Sequence, residues 1–164
     1  MSRFLAPLAL VSVAAATAAC AAAAATAPVV PVFVQGLVHA RAPGLAFVPT
    51  RAVAAYRYER FGASRLRVTY RFRRLRQASG QPAFYTVTAR KLAGGFGACA
   101  AGKTQTLQMG GNKVYWDGAA AWRCFPAPGG PARVDVTGPA AAPARFASKF
   151  AYGRVAASVK RIGT

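Results

Sequence analysis

The stretch Arg65-Leu66-Arg67-Val68-Thr69-Tyr70-Arg71-Phe72-Arg73-Arg74-Leu75-Arg76 constrains the fold more than any other part of the chain. Read with a period of two, Leu66, Val68, Tyr70 and Phe72 fall on one side. Arg65, Arg67, Thr69, Arg71 and Arg73 fall on the other, the pattern of a half-buried β-strand. One face is therefore core and the other cationic. Like charges two residues apart on a strand face repel, so an anion, an acidic neighbour or a counterion atmosphere must reside there. The plain alternative is an ordinary solvated face in an arginine-rich composition.

The flanking segments extend the same pattern. Ala54 to Arg60 places Tyr56 and Tyr58 on one face and Arg57 with Glu59 on the other, and Phe61-Gly62-Ala63-Ser64 supplies a turn into the arginine strand. Glu59 is then the only acid among the arginines of this hairpin. Beyond a turn at Gln77 to Pro82, Ala83 to Leu92 sets Tyr85, Val87 and Ala89 against Phe84, Thr86, Thr88 and Arg90. A glycine-rich loop, Gly94 to Gly102, holds Cys99. Short strands follow at Lys103 to Met109, Lys113 to Trp116, Ala119 to Phe125 and Arg133 to Thr137, with Asp117-Gly118 as a hairpin signal. From about Arg145 the period changes, and Phe146, Phe150, Val155, Val159 and Ile162 recur at helical spacings, with Gly153 as a weak point. The expected fold is α+β: a curved antiparallel β-sheet of five to seven strands around Trp116 or Trp122, with a C-terminal amphipathic helix packed on one face. Residues 45–164 form the single globular domain. The apolar segment 28–44, broken by Pro28, Pro31, Gly36, Pro43 and Gly44, reads as a linker or loosely docked arm with one short strand at Val32 to Val38.

Residues 1–27 read as a secretory signal. Arg3 precedes the apolar run Phe4 to Val13, and an alanine tract continues to Ala27. Cleavage among Ala23 to Ala27 competes with lipidation at Cys20, since Thr17-Ala18-Ala19-Cys20 resembles a lipoprotein box except that Thr17 replaces the favoured Leu. An uncleaved anchor is a third reading, weakened by alanine's small apolar area and by Pro28 and Pro31. Either way the domain is expected to be secreted or extracytoplasmic. Lys and Arg number 22 against three acidic residues, for a net charge of +19. Such a one-sided charge favours polyanions, and outside a cell these are anionic cell-wall polymers or a membrane surface. In an oxidising compartment Cys99 and Cys124 are most simply a disulfide. Two cysteines and the lone His39 make no metal-ligand spacing, so no metal is expected.

Chemistry-bearing motifs are sparse. Gly97 to Thr104 fits the phosphate-cradling pattern G-x-x-x-x-G-K-[ST], but only Gln105 to Met109 separate Thr104 from two glycines, too few for the helix that a nucleotide loop requires. A P-loop-like nucleotide binder is thus a minor alternative. No carboxylate pair and no nucleophile with a nearby base stands out, so the chain is read as non-enzymatic and without cofactors. Nucleic-acid binding through interleaved arginines and aromatics is disfavoured, because alternation turns Tyr70 and Phe72 inward. The anion-binding candidates are Arg57, Arg65, Arg67, Arg71, Arg73 and Arg90. No residue pattern sets the oligomeric state.

Phe47-Val48-Pro49 before Tyr56-Arg57-Tyr58, then Leu66 to Tyr70, Val114 before Ala121-Trp122-Arg123-Cys124, and Val155-Ala156-Ala157-Ser158 together carry a resemblance. The order is similar to secreted or lipid-anchored bacterial sheet-plus-helix domains, such as extracellular domains of anti-sigma-factor-like or lipoprotein-carrier-like proteins. That resemblance implies an antiparallel sheet with a terminal helix and no active site. The expected function is a secreted or envelope-anchored binding module whose arginine-rich sheet face contacts anionic envelope components. A carrier-like or structural domain holding an apolar ligand between sheet and helix is the alternative.

Overall fold

Aromatic and β-branched residues at every second position build most of the molecule, and the computed structural model describes residues 27–76, 82–139 and 146–163. The elements in chain order are α1 (Val32–Arg41), β1 (Phe47–Pro49), β2 (Tyr56–Ala63), β3 (Arg67–Arg74), β4 (Phe84–Lys91), β5 (Gln105–Met109), β6 (Asn112–Trp116), β7 (Ala120–Phe125), β8 (Ala132–Thr137), α2 (Phe146–Ala157) and β9 (Val159–Arg161). One antiparallel sheet has the order β2-β3-β4-β8-β7-β6-β5, and β1 pairs with β9 in a separate two-stranded ribbon. The large sheet joins two meanders, β2-β3-β4 and β5-β6-β7-β8, along the β4–β8 ladder. The expected antiparallel sheet and C-terminal helix are both present.

Alternation decides which side of the sheet is core. Val68, Tyr70 and Phe72 of β3, Tyr85, Val87 and Ala89 of β4, and Val134 and Val136 of β8 are all buried on one face. They are covered by Tyr152, Val155 and Ala156 of α2 and by the α1 segment. Each such fully buried side chain contributes about 1.5–3 kcal/mol relative to exposure. Rings do much of the filling: Phe72 and Tyr85 stack with centroids 4.8 Å apart, and Tyr85 meets Tyr152 at 5.9 Å.

The other face is not bare. Trp122 is fully buried there with Cys99 and Ala120, flanked by Leu92, Tyr115 and Cys124. The single turn of 3-10 helix at Phe96–Ala100 lies over it, and Trp122 Nε1 donates to the Cys99 carbonyl at 2.7 Å. Cys99 and Cys124, 25 residues apart, form the expected disulfide with Cα atoms 6.1 Å apart. The two tryptophans therefore serve opposite faces, Trp116 in the main core and Trp122 under the disulfide.

Three local expectations are corrected. Val32 to Val38 is helix rather than strand: Val30, Val34 and Val38 recur every four residues and are buried, and Pro31 at the N-cap starts the turn. The arm is thus docked on the core, while Val32, Phe33 and Leu37 on its outer side stay exposed. In the first hairpin Gly62 pairs with Thr69 inside the ladder, and the turn falls at Ser64 to Leu66, where the Arg67 N–H donates to Ser64 Oγ at 3.2 Å. Leu66 consequently leaves the core face and is 71% exposed. Finally, α2 stops at Ala157, and Val159 to Arg161 becomes β9, paired with β1. Gly153 stays helical, and Met109 occupies the room a side chain there would need: a Cβ would lie 2.5 Å from its sulfur. The signal segment, Cys20, Arg145 and most of the Gln77 to Pro82 turn lie outside the described residues. Among the described residues no helix is long and apolar enough to cross a membrane.

Candidate anion-binding face

The ladders bring arginines from four strands onto the face opposite α2. Arg67 of β3, Arg90 of β4 and Arg133 of β8 lie directly opposite one another, a row of three cations crossing three strands. Arg57 pairs with Arg73, and Arg60 with Arg71, in the β2–β3 ladder. A register shift between Tyr58 and Arg60 leaves Glu59 as the extra residue of a bulge. Of the expected residues, Arg57, Arg67, Arg71, Arg73 and Arg90 share this face. Arg65 does not, because the turn takes it out of the strand.

Two carboxylates sit among these cations. Glu59 Oε2 is 2.8 Å from Arg71 Nε and Oε1 is 3.8 Å from Arg73 Nη1. The Arg71 N–H is not aligned for a hydrogen bond to it, and its guanidinium lies 3.9 Å from the Phe84 ring centroid. Asp135, only 8% exposed, accepts from Arg133 Nε at 2.6 Å and from Arg90 Nε at 3.3 Å. Arg133 also stacks 3.9 Å over Trp122, so it is fixed between acid and ring. Glu59 and Asp135 hold the arginine rows together without neutralising them. Among the described residues no carboxylate lies within ion-pair distance of Arg57, Arg60 or Arg67.

Between the arginine rows the face is lined by hydroxyls. Thr69 and Thr88 approach to 3.3 Å and Thr86 and Thr137 to 2.9 Å, each pair joining adjacent strands. An open depression of about 420 Å³ is lined by Arg60, Arg71, Thr69, Thr86 and Phe84, combining charge, hydroxyl and one aromatic edge. Sequence reading missed Arg60 and Arg133. Arg133 had a signal, since it alternates with Asp135 in its strand. Arg60 had none, because only the bulge brings it onto this face.

The other motifs resolve into structural parts. Beyond Thr104 the chain enters β5, and Thr104 Oγ1 donates to the Trp116 carbonyl at 3.1 Å, while the Lys103 ammonium lies 5.2 Å from the Tyr115 ring centre. The strand–loop–helix arrangement of a phosphate-cradling loop is not formed at this place. Asp117 Oδ1 accepts from the N–H groups of Ala119 and Ala120 at 2.9 and 2.7 Å and closes the β6–β7 turn. All three acidic residues of the chain are thus occupied by turns or ion pairs. Among the described residues no three His, Cys, Asp or Glu side chains cluster as metal ligands. Comparison with protein-family models, with curated proteins and with solved structures gave no match.

Proposed function

We propose that this protein is a non-enzymatic, extracytoplasmic binding module that engages a phosphate-bearing anionic polymer of the cell envelope through the arginine face. The observation that carries the reading is the set of exposed arginines Arg57, Arg60, Arg67, Arg73 and Arg90 that the β2–β3–β4 ladders bring onto one face. Adjacent strands space such groups by about 4.8 Å, and alternate residues along one strand by roughly 6.6 Å, a flat lattice suited to a chain of repeating anions. Guanidinium forks bind phosphate or carboxylate oxygens in two-point contacts, and the threonine hydroxyls between them can donate further hydrogen bonds. Affinity would come from displacing counterions, so it must fall steeply with salt. The carrier alternative is less well supported, since Tyr85, Tyr152 and Val155 occupy the space between sheet and helix.

Linear polyphosphate is a suitable probe polymer. Replacing Arg57, Arg67 and Arg73 by Ser is expected to lower affinity at least tenfold and to flatten the salt dependence by about two to three units of slope, one per lost contact. An unchanged slope would show that the face is merely solvated. The mature N-terminus, read by mass spectrometry, decides whether export ends in acylation at Cys20 or in cleavage within Ala23 to Ala27.

A further inference from the structure

The side of the sheet that carries α2 bears a second concentration of positive charge. An open cleft of about 560 Å³ lies between the end of α2, the β5–β6 turn and the β1–β9 ribbon. Arg51, Arg123, Arg154 and Lys160 line it together with Asn112 and Ser158, and no acidic residue contributes to its wall. Arg123 belongs to β7, where it pairs with Val134 and so projects toward the helix rather than toward the arginine rows. The cleft and the arginine face therefore lie on opposite sides of one sheet.

The end of a helix carries partial negative charge, and basic side chains near it are commonly explained by its unpaired carbonyls. Here the carbonyls of Arg154, Val155 and Ala157 already have protein donors. Arg123 Nη1 donates to the Ala157 carbonyl at 2.9 Å and Asn112 Nδ2 to the same oxygen at 3.2 Å. Ser158 Oγ donates to the Val155 carbonyl at 2.8 Å, and Thr50 Oγ1 to that of Ser158 at 2.8 Å. Among the described residues Arg51, Arg154 and Lys160 have no side-chain hydrogen bond and no ion pair. Arg123 is partly desolvated, which lowers its pKa and makes a compensating anion nearby favourable.

We infer that this cleft is a second anion site, selective for a compact multivalent oxyanion such as a phosphoryl or pyrophosphoryl group. Arg51, Arg154 and Lys160 supply free donors from three directions: the segment after β1, the last turn of α2, and β9. Arg123, anchored to Ala157, forms a fixed positive wall behind them. A convergent cleft suits a small ion of concentrated charge, whereas the flat arginine face suits an extended chain. The two sites thus differ in geometry, and this one stands or falls independently of the proposed function.

Inorganic pyrophosphate tests the inference, by calorimetry and by amide chemical shifts on the full-length protein. Binding is expected with the largest shifts at Asn112, Ser158 and Lys160. The double variant Arg154→Gln, Lys160→Gln changes only exposed side chains and should lower that affinity at least tenfold, with an unaltered circular dichroism spectrum. The Arg57, Arg67, Arg73 triple variant should keep it within twofold. No pyrophosphate binding by the native protein would overturn the site. So would equal losses in the two variants, which would reveal general charge attraction. Pyrophosphate binding lost in the double variant but kept in the triple variant would support the cleft as a site separate from the arginine face.

Discussion

At the residue scale, the most informative positions are those where charge or polarity is placed against its surroundings. Glu59 bridges Arg71 and Arg73 at the surface, where such pairs contribute only about 0–1 kcal/mol. Glu59→Gln should therefore barely alter stability while releasing two arginines, and polyphosphate affinity is expected to rise about fivefold at low salt, by roughly 1 kcal/mol for the like charge removed. A drop in affinity would mean that Glu59 orients the arginines rather than competing for them. Asp135 is different, being buried between Arg90 and Arg133. Asp135→Asn should cost about 2–4 kcal/mol in urea unfolding, because it leaves Arg133 held against Trp122 without its partner. Tyr70 shows the reverse case: its hydroxyl is buried with no partner among the described residues. Tyr70→Phe is expected to stabilise the protein by about 1 kcal/mol, and a loss of stability would reveal an unseen partner for the hydroxyl.

The same tyrosines determine the alkaline limit of the fold. Burial raises the phenol pKa of Tyr70 and Tyr85 far above the ordinary value, and burial with the neighbouring Tyr56 raises that of Tyr152 to about 12. The unfolded chain ionises at its ordinary pKa near 10, so stability from these groups is complete below that pH and is lost as pH climbs through the raised values. Tyrosinate absorbance of the buried set should therefore develop only near pH 12, together with loss of circular dichroism. A single titration centred on pH 10 would contradict the buried cluster.

At the element scale, the disulfide and the end of β8 are where small changes matter. The Cys99–Cys124 bond closes a 25-residue separation that contains β6 and the edge strand β5. Reduction should lower stability by about 3 kcal/mol in the chain-entropy account, read as a shift in urea midpoint with and without reductant. Gly138, just after β8, lies against α2: a Cβ there would come within 2.6 Å of Tyr152 Oη and 3.5 Å of its Cζ. Tyr152 is buried, so Gly138→Ala should cost about 1–3 kcal/mol by displacing the helix. The period-two strands were legible in advance because their side chains alternate between core and solvent along the chain itself. Of the misread elements, α1 is a short, mostly apolar run and β9 is only three residues long. In β9 the run Val159 to Ile162 continues the helical spacing of α2, and only pairing with β1 makes it a strand.

At the scale of the whole molecule, a net charge of +19 bears on both stability and binding. Self-repulsion among so many cations opposes compaction, and salt screens it over about 10 Å at 0.1 M. The melting temperature should accordingly rise between low and moderate ionic strength even as polyphosphate binding weakens; opposite slopes of this kind separate repulsion within the fold from attraction to a ligand. The strand pattern, the cationic and apolar faces of β3, the disulfide pair and the C-terminal helix were all determined by the sequence alone, since each rests on local periodicity or a small count of residues. The tertiary structure decided what those faces became. Strand order set Arg67, Arg90 and Arg133 in one row, and a bulge brought Arg60 beside Arg71. Docking of β9 on β1 drew Arg51, Arg154 and Lys160 around one cleft. Most of those groups are far apart along the chain, and their meeting depends on ladder register and helix end, which no local pattern specifies.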